Sequence, residues 1–164
     1  MSKLIILCVE DERDVLDALV RDLRPFEGPF SIEATESVDE ARRVVAAAQS
    51  RHDHVALVLA DHILPGITGV QFLIELQRQP HYAATRKVLV TAQAGHMETI
   101  RAINEASLNH YIAKPWQVEE LQTIVRRQLE GYVVETQKNL LPFMQVLDSQ
   151  TLLEAMRTRP SPAD

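Results

Sequence analysis

The sequence predicts an α/β fold: one parallel sheet with helices on both faces, followed by a helical C-terminal extension. Three observations predict it. Short apolar runs alternate with segments of helical spacing, in the order β-α-β-α-β-α-β-α-β-α. The inner runs are apolar almost throughout, as strands buried on both faces are. Each inner run also stops at a charged or hydroxyl residue.

Taken in order, Leu4 to Val9 is a wholly apolar first strand that ends at Glu10-Asp11-Glu12. Val15, Leu16, Ala18, Leu19 and Leu23 then recur with helical spacing until Pro25 and Gly28 stop the helix. Phe30 to Ala34 alternates apolar and polar, as an edge strand with one wet face does. Ser37 and Glu40 match a capping box, and Ala41, Val44, Val45 and Ala48 follow on one helical face. After a polar break from Ser50 to His54, Val55 to Ala60 forms the third strand and stops at Asp61.

A turn with Pro65 and Gly66 leads to Gly69 and a third helix carrying Val70, Phe72, Leu73 and Leu76, broken by Pro80. Lys87 to Thr91 is the fourth strand, Gln93 to His96 a loop, and Met97 to Ala106 a weakly amphipathic fourth helix. His110 to Ala113 is the fifth strand, closed by Lys114-Pro115. A helix from about Gln117 presents Val118, Leu121, Ile124, Val125 and Leu129. With right-handed crossovers, five such strands reduce to few topologies. The common solution is the flavodoxin-like (βα)5 doubly wound sheet in order 2-1-3-4-5, with its switch point between strands 1 and 3.

That topology gathers polar residues at one edge. Glu10 and Asp11 end strand 1 and Asp61 ends strand 3, so three carboxylates meet at the switch point. Thr91 and Lys114 end strands 4 and 5. Clustered carboxylates repel one another and call for positive charge among them. Oxygen-only donors suit a hard cation such as Mg²⁺, and Lys114 adds an ammonium. A metal, an ammonium and a hydroxyl around one carboxylate suit phosphoryl transfer, with Asp61 attacking phosphorus to give an aspartyl phosphate.

These residues carry a family resemblance. The chain resembles the receiver domain of two-component response regulators in Glu10-Asp11, in Asp61 followed by Pro65 and Gly69, in Thr91-Ala92, in Lys114-Pro115 and in Tyr111. It does so over roughly residues 3 to 130. The resemblance implies that Asp61 accepts a phosphoryl group from a sensor histidine kinase or phosphotransfer protein. It implies Mg²⁺ on Glu10, Asp11, Asp61 and the Ile63 backbone carbonyl, and Thr91 and Lys114 on the phosphoryl oxygens. Tyr111 is then the aromatic switch, and the helix 4, strand 5 and helix 5 face is read by a partner or a second copy. The protein is on this reading a switch that assists its own phosphoryl transfer and hydrolysis, not an enzyme. The Lys114-Pro115 bond resembles the family's cis peptide. Glu10 stands where the family often has aspartate, and Ile63 is apolar where many members are polar.

Plainer readings exist for single residues. Asp61 alone reads as a turn or helix cap, Glu12 as an acidic helix start, and Thr91 as an ordinary strand end. Tyr111 reads as a half-buried core residue and Trp116 as packing at the start of helix 5. His62, His96 and His110 lack metal-ligand spacing and read as surface or loop residues.

Beyond a receiver at 1–130, residues 131–164 are too apolar for a disordered tail. Tyr132, Val133, Leu140, Leu141, Phe143, Met144, Val146 and Leu147 predict a continuation of helix 5 through Gly131, with a kink or new start at Pro142. Asp148 or Ser149 caps a last helix with Leu152, Leu153 and Met156, and Arg159-Pro160-Ser161-Pro162 ends it. Three roles fit: homodimerisation, folding back on the receiver, or a linker to an effector. The absence of a helix-turn-helix or catalytic motif favours the dimer.

Composition bounds the rest. The 164 residues are 46% hydrophobic and 24% charged, a globular balance with room for one core and a short appendage. A net charge of −6 argues against direct nucleic-acid binding. Cys8, the single cysteine, reads as a small buried hydrophobe, which with no internal disulfide fits a cytoplasmic protein. No apolar run approaches the roughly 20 residues that span a bilayer, and Met1-Ser2-Lys3 leaves no room for a signal peptide.

Overall fold

Five strands pair in parallel in the order β2-β1-β3-β4-β5: β1 (Leu4–Val9), β2 (Phe30–Thr35), β3 (His54–Ala60), β4 (Arg86–Thr91) and β5 (His110–Ala113). The computed structural model describes residues 2–92 and 97–159. The predicted Gln93 to His96 loop and the prolines at 160 and 162 lie outside the described residues. Helices α1 (Arg13–Leu23), α2 (Val38–Ser50), α3 (Gly69–Gln77), α4 (Met97–Glu105) and α5 (Val118–Thr136) separate or follow the strands, as the apolar periodicity predicts. The strand order also agrees with the prediction.

Strand alternation divides the interior into two cores. Ile6 and Cys8 of β1, with Leu57, Leu59, Val88, Val90 and Ile112, pack against α1 and α5. Ile5, Leu7 and Val9, with Val58, Ala60 and Leu89, pack against α2, α3 and α4. Cys8 is fully buried, and burial pushes its thiol up to about 12, so it behaves as a small hydrophobe. One buried charge breaks the apolar rule: Lys87 on β4 is 1% exposed. Its Nζ donates to Gln77 Oε1 at 2.7 Å and to Thr85 O at 2.9 Å.

Local chemistry sets the helix starts. Ser37 Oγ accepts from Glu40 N at 3.1 Å, as predicted. The Glu40 carboxylate reaches Glu36 N, one residue before the Ser37 N–H of a reciprocal box. A complete box occurs instead at α3, where Thr68 Oγ1 accepts from Gln71 N and Gln71 Oε1 accepts from Thr68 N.

The extension folds back. Helix α5 runs through Gly131 for 19 residues and ends at Thr136. Pro142 starts a short 3₁₀ turn (Leu141–Phe143), and α6 (Ser149–Thr158) follows Asp148. Leu140, Phe143, Leu147 and Leu152 join the core that holds α1 and α5, and the Phe143 ring lies 5.5 Å from that of Phe30. Asp148 N donates to Glu130 Oε2 at 2.8 Å, and Arg159 donates to Val134 O and Lys138 O. Most of the apolar residues that argued against a disordered tail are therefore buried within the chain, as in the second of the three roles, folding back on the receiver. Spacing showed that a face was buried, not against what. Leu141, Leu153 and Met156 remain exposed.

Candidate functional site

The site lies where β1 and β3 end side by side. Asp61 N donates to Val9 O at 3.0 Å and Glu10 N to Thr35 O at 3.0 Å, so the sheet ladder continues one step past the strands. Lys114 N likewise donates to Thr91 O at 3.1 Å. These backbone bonds fix where each functional side chain leaves the sheet. Glu10, Asp61 and Thr91 are buried, whereas Asp11 is exposed.

Lys114 joins the acids. Its Nζ donates to Asp61 Oδ2 at 2.8 Å and also to Glu10 Oε1. Glu10 uses its other oxygen to accept from Glu12 N at 3.2 Å. Burial pushes the Glu10 carboxyl above its ordinary range, against the pull of Lys114 and the Glu12 N–H. For Lys114, burial works downward, but bonds to Asp61 and Glu10 outweigh it and hold the ammonium above its ordinary value. The Lys114-Pro115 peptide is cis.

Glu10, Asp11 and Asp61 each offer an oxygen within 4.8 Å of the others. The donor set is hard oxygen and one member faces solvent, which fits Mg²⁺ with part of its water shell retained. Ile63 follows two residues after Asp61, with its N–H directed at Asp61 Oδ1 over a long 3.4 Å, and the residue is 52% exposed. Gly66, with φ +78°, makes the turn, and Gly69 N donates to His62 O at 3.1 Å. A Cβ on Gly69 would overlap the Asp61 carbonyl oxygen, so α3 starts in direct contact with the acceptor's main chain.

Two sequence readings need correction. Tyr111, expected half-buried in the core, is 43% exposed and stacks beside His110 at 6.2 Å. It belongs to the four-residue outer strand β5, of which only Ile112 is buried. His62, expected at a surface or loop position, does lie in the loop after β3 but is buried there, and its Nδ1 has no partner among the described residues. His96 lies outside the described residues. Trp116 packs against the α1/α5 core, as expected, but its indole N–H also donates to buried Asp22 at 2.9 Å. The Asp22 and Glu130 bonds join residues far apart in sequence, so periodicity gave no sign of them.

A family model for the response regulator receiver domain matches residues 6–126. The chain belongs to that family. Among curated relatives, the hydrogenase transcriptional regulatory protein HoxA of Cupriavidus necator is 30% identical over 157 residues, covering 95% of this chain and 30% of that protein. The phosphate regulon regulatory protein PhoB of Rhizobium meliloti is 27% identical over 136 residues, 83% of this chain and 56% of that one. The receiver chain thus spans about a third to about half of these relatives' length. A signal receiver domain of an HD domain-containing protein from Pseudomonas fluorescens Pf-5 superposes with TM-score 0.72 at 26% identity, covering 85% of this chain and 96% of that one. A CheY-like receiver domain from Methanospirillum hungatei does so with TM-score 0.66 at 25% identity, covering 82% and 99%. Receivers are signalling switches that work with histidine kinases or phosphotransfer proteins and bind Mg²⁺ in their acidic pocket. Among the described residues no helix is long and apolar enough to cross a membrane.

Proposed function

We propose that this receiver is a cytoplasmic phosphoacceptor switch, modified on Asp61 by phosphoryl transfer from a histidine kinase or phosphotransfer protein. The observation that carries the reading is the Lys114 ammonium, bonded to both Asp61 and Glu10 at the switch point of the sheet. An Asp61 carboxylate oxygen attacks phosphorus in line. The P–N bond of the donor phosphohistidine breaks, and the imidazole leaves with the electron pair. Lys114 moves from the free carboxylate to a phosphoryl oxygen, and the Thr91 hydroxyl donates to another. Mg²⁺ on Glu10, Asp11, Asp61 and the Ile63 carbonyl would supply positive charge against the transferring group.

The output follows from the switch pair. Thr91 turns toward the phosphoryl group, and outward-lying Tyr111 turns into the space it leaves. The face of α4, β5 and α5 then changes shape for a partner or a second copy. Ile100, Ile103, Tyr111 and Val118 give that face exposed apolar surface in the present state. Residues 1–130 act as the receiver, with 131–164 as its helical extension.

Incubation with acetyl phosphate and Mg²⁺, followed by mass measurement, tests this. Wild type should gain one phosphoryl group, and neither Asp61→Asn nor metal-free wild type should. No gain on wild type, or equal gain on Asp61→Asn, defeats the reading. Catalytic turnover of unrelated phosphoesters would make the chain a hydrolase instead.

A further inference from the structure

Only four residues, Lys114 to Gln117, separate β5 from α5, and they carry the lysine of the site. One end of this loop is fixed by Lys114 N on Thr91 O. The other is fixed by α1. Trp116 Nε1 donates to Asp22 Oδ2 at 2.9 Å, and Gln122 Nε2 donates to the Asp22 carbonyl at 3.0 Å. The start of α1 meets the acid pair as well, because Glu12 N, at its N-cap, donates to Glu10 Oε2. A single helix therefore touches the acid pair at its start and the lysine loop near its end.

Asp22 stands against local preference. It is the penultimate residue of α1, where exposed carbonyls disfavour a carboxylate, and its side chain is only 6% exposed. Its ion-pair partner Arg21 is 67% exposed, so that pair contributes little. The indole N–H is the well-placed partner that a buried charge at this position serves. A hydrogen bond to a charged acceptor is also stronger and more directional than one to a neutral acceptor. Trp116, for its part, needs an acceptor wherever its N–H is buried.

We propose that Asp22 is a positioning residue for phosphoryl transfer, acting through Trp116 to hold the Lys114 ammonium on Asp61. The proposal rests on the phosphoacceptor reading of the site. Asp22 touches neither the acceptor nor the phosphoryl group. It sets where the loop, and hence the lysine, is held.

The test uses the full chain, with wild type, Asp22→Asn, Asp22→Leu, Trp116→Phe and the double variant Asp22→Leu/Trp116→Phe. Phosphoryl gain from acetyl phosphate with Mg²⁺ is followed by mass, and folding by urea titration. The chain has one tryptophan, so a ¹⁵N-labelled sample gives a single indole N–H resonance. That resonance should move in Asp22→Leu and stay near its wild-type position in Asp22→Asn, which keeps an oxygen acceptor. Trp116→Phe loses the donor together with the pyrrole half of the indole, whereas Asp22→Leu loses the bond and keeps the whole indole. Trp116→Phe should slow phosphoryl gain about tenfold through a misplaced lysine, with the protein still folded. Asp22→Leu should slow it equally, the double variant no further, and Asp22→Asn should be rescued close to wild type. A wild-type rate in folded Trp116→Phe, or losses that multiply in the double variant, would overturn the proposal while leaving the receiver reading intact. Failure of wild type to gain a phosphoryl group overturns both.

Discussion

Lys114 Nζ lies 2.8 Å from Asp61 Oδ2, so a lysine at the end of one strand neutralises an aspartate 53 positions earlier at the end of another. The same ammonium serves Glu10, and all three side chains are at most 15% exposed. Lys114→Met leaves two buried carboxylates facing each other. Phosphoryl gain from acetyl phosphate should fall about a hundredfold, as when one electrostatic donor is removed from a transition state. In metal-free buffer the variant should also lose a few kcal/mol of stability, part of it restored by Mg²⁺. Mass spectrometry and urea titration with and without metal check both.

Ile63 is half exposed beside the acceptor and offers an attacking water no hydrogen bond. Ile63→Asn should therefore speed loss of the aspartyl phosphate, by about threefold or more, by orienting water at phosphorus. A time course of phosphoprotein decay after donor removal measures it. An unchanged or slower decay rules out the shielding role.

Lys87 gives the fold a distinctive alkaline behaviour. Burial first, and then neighbouring Arg86, pull its ammonium down from 10.5 to about 8. Between those values the unfolded chain binds the proton that the folded chain has released, so stability rises with pH across the window. Below it, the buried charge burdens the fold despite its oxygen acceptors. Wild-type stability should climb relative to Lys87→Met between pH 8 and 10.5, by up to about 3 kcal/mol, in urea titrations at stepped pH.

Phe143 anchors the extension, at 5% exposure and in ring contact with Phe30. Phe143→Ala should cost about 3 to 5 kcal/mol, the range for emptying a buried aromatic site. The loss should appear in the single unfolding transition of the whole chain, because the ring belongs to the same core as α1 and α5. A separate early transition that leaves the main one unmoved would show the extension to be energetically independent.

The sheet was legible because its signals are local: apolar runs of strand length, helical spacing between them, and polar residues at the ends of all strands but the second. The pocket followed because a parallel sheet delivers all those ends to one edge, so Glu10, Asp61 and Lys114 could be brought together from order alone. What escaped depends on partners far along the chain. Lys87 read as the polar start of an apolar strand, yet it is covered by Gln77, Tyr82 and Thr85. Asp22 falls outside the apolar residues that mark its helix, and nothing near it in the chain points to its bond with Trp116. The apolar residues after Gly131 announced burial for most of their number without naming the surface that covers them.

Gly69 offers a neutral handle on the pocket. Its amide is tied to His62 O, and the space where a side chain would begin is already filled by the Asp61 carbonyl oxygen. Gly69→Ala keeps every titratable group in the chain and forces the main chain of the acceptor to shift. Placed beside Lys114→Met, which keeps the main chain and removes a charge, it would divide the chemistry of the pocket into a part owed to shape and a part owed to field.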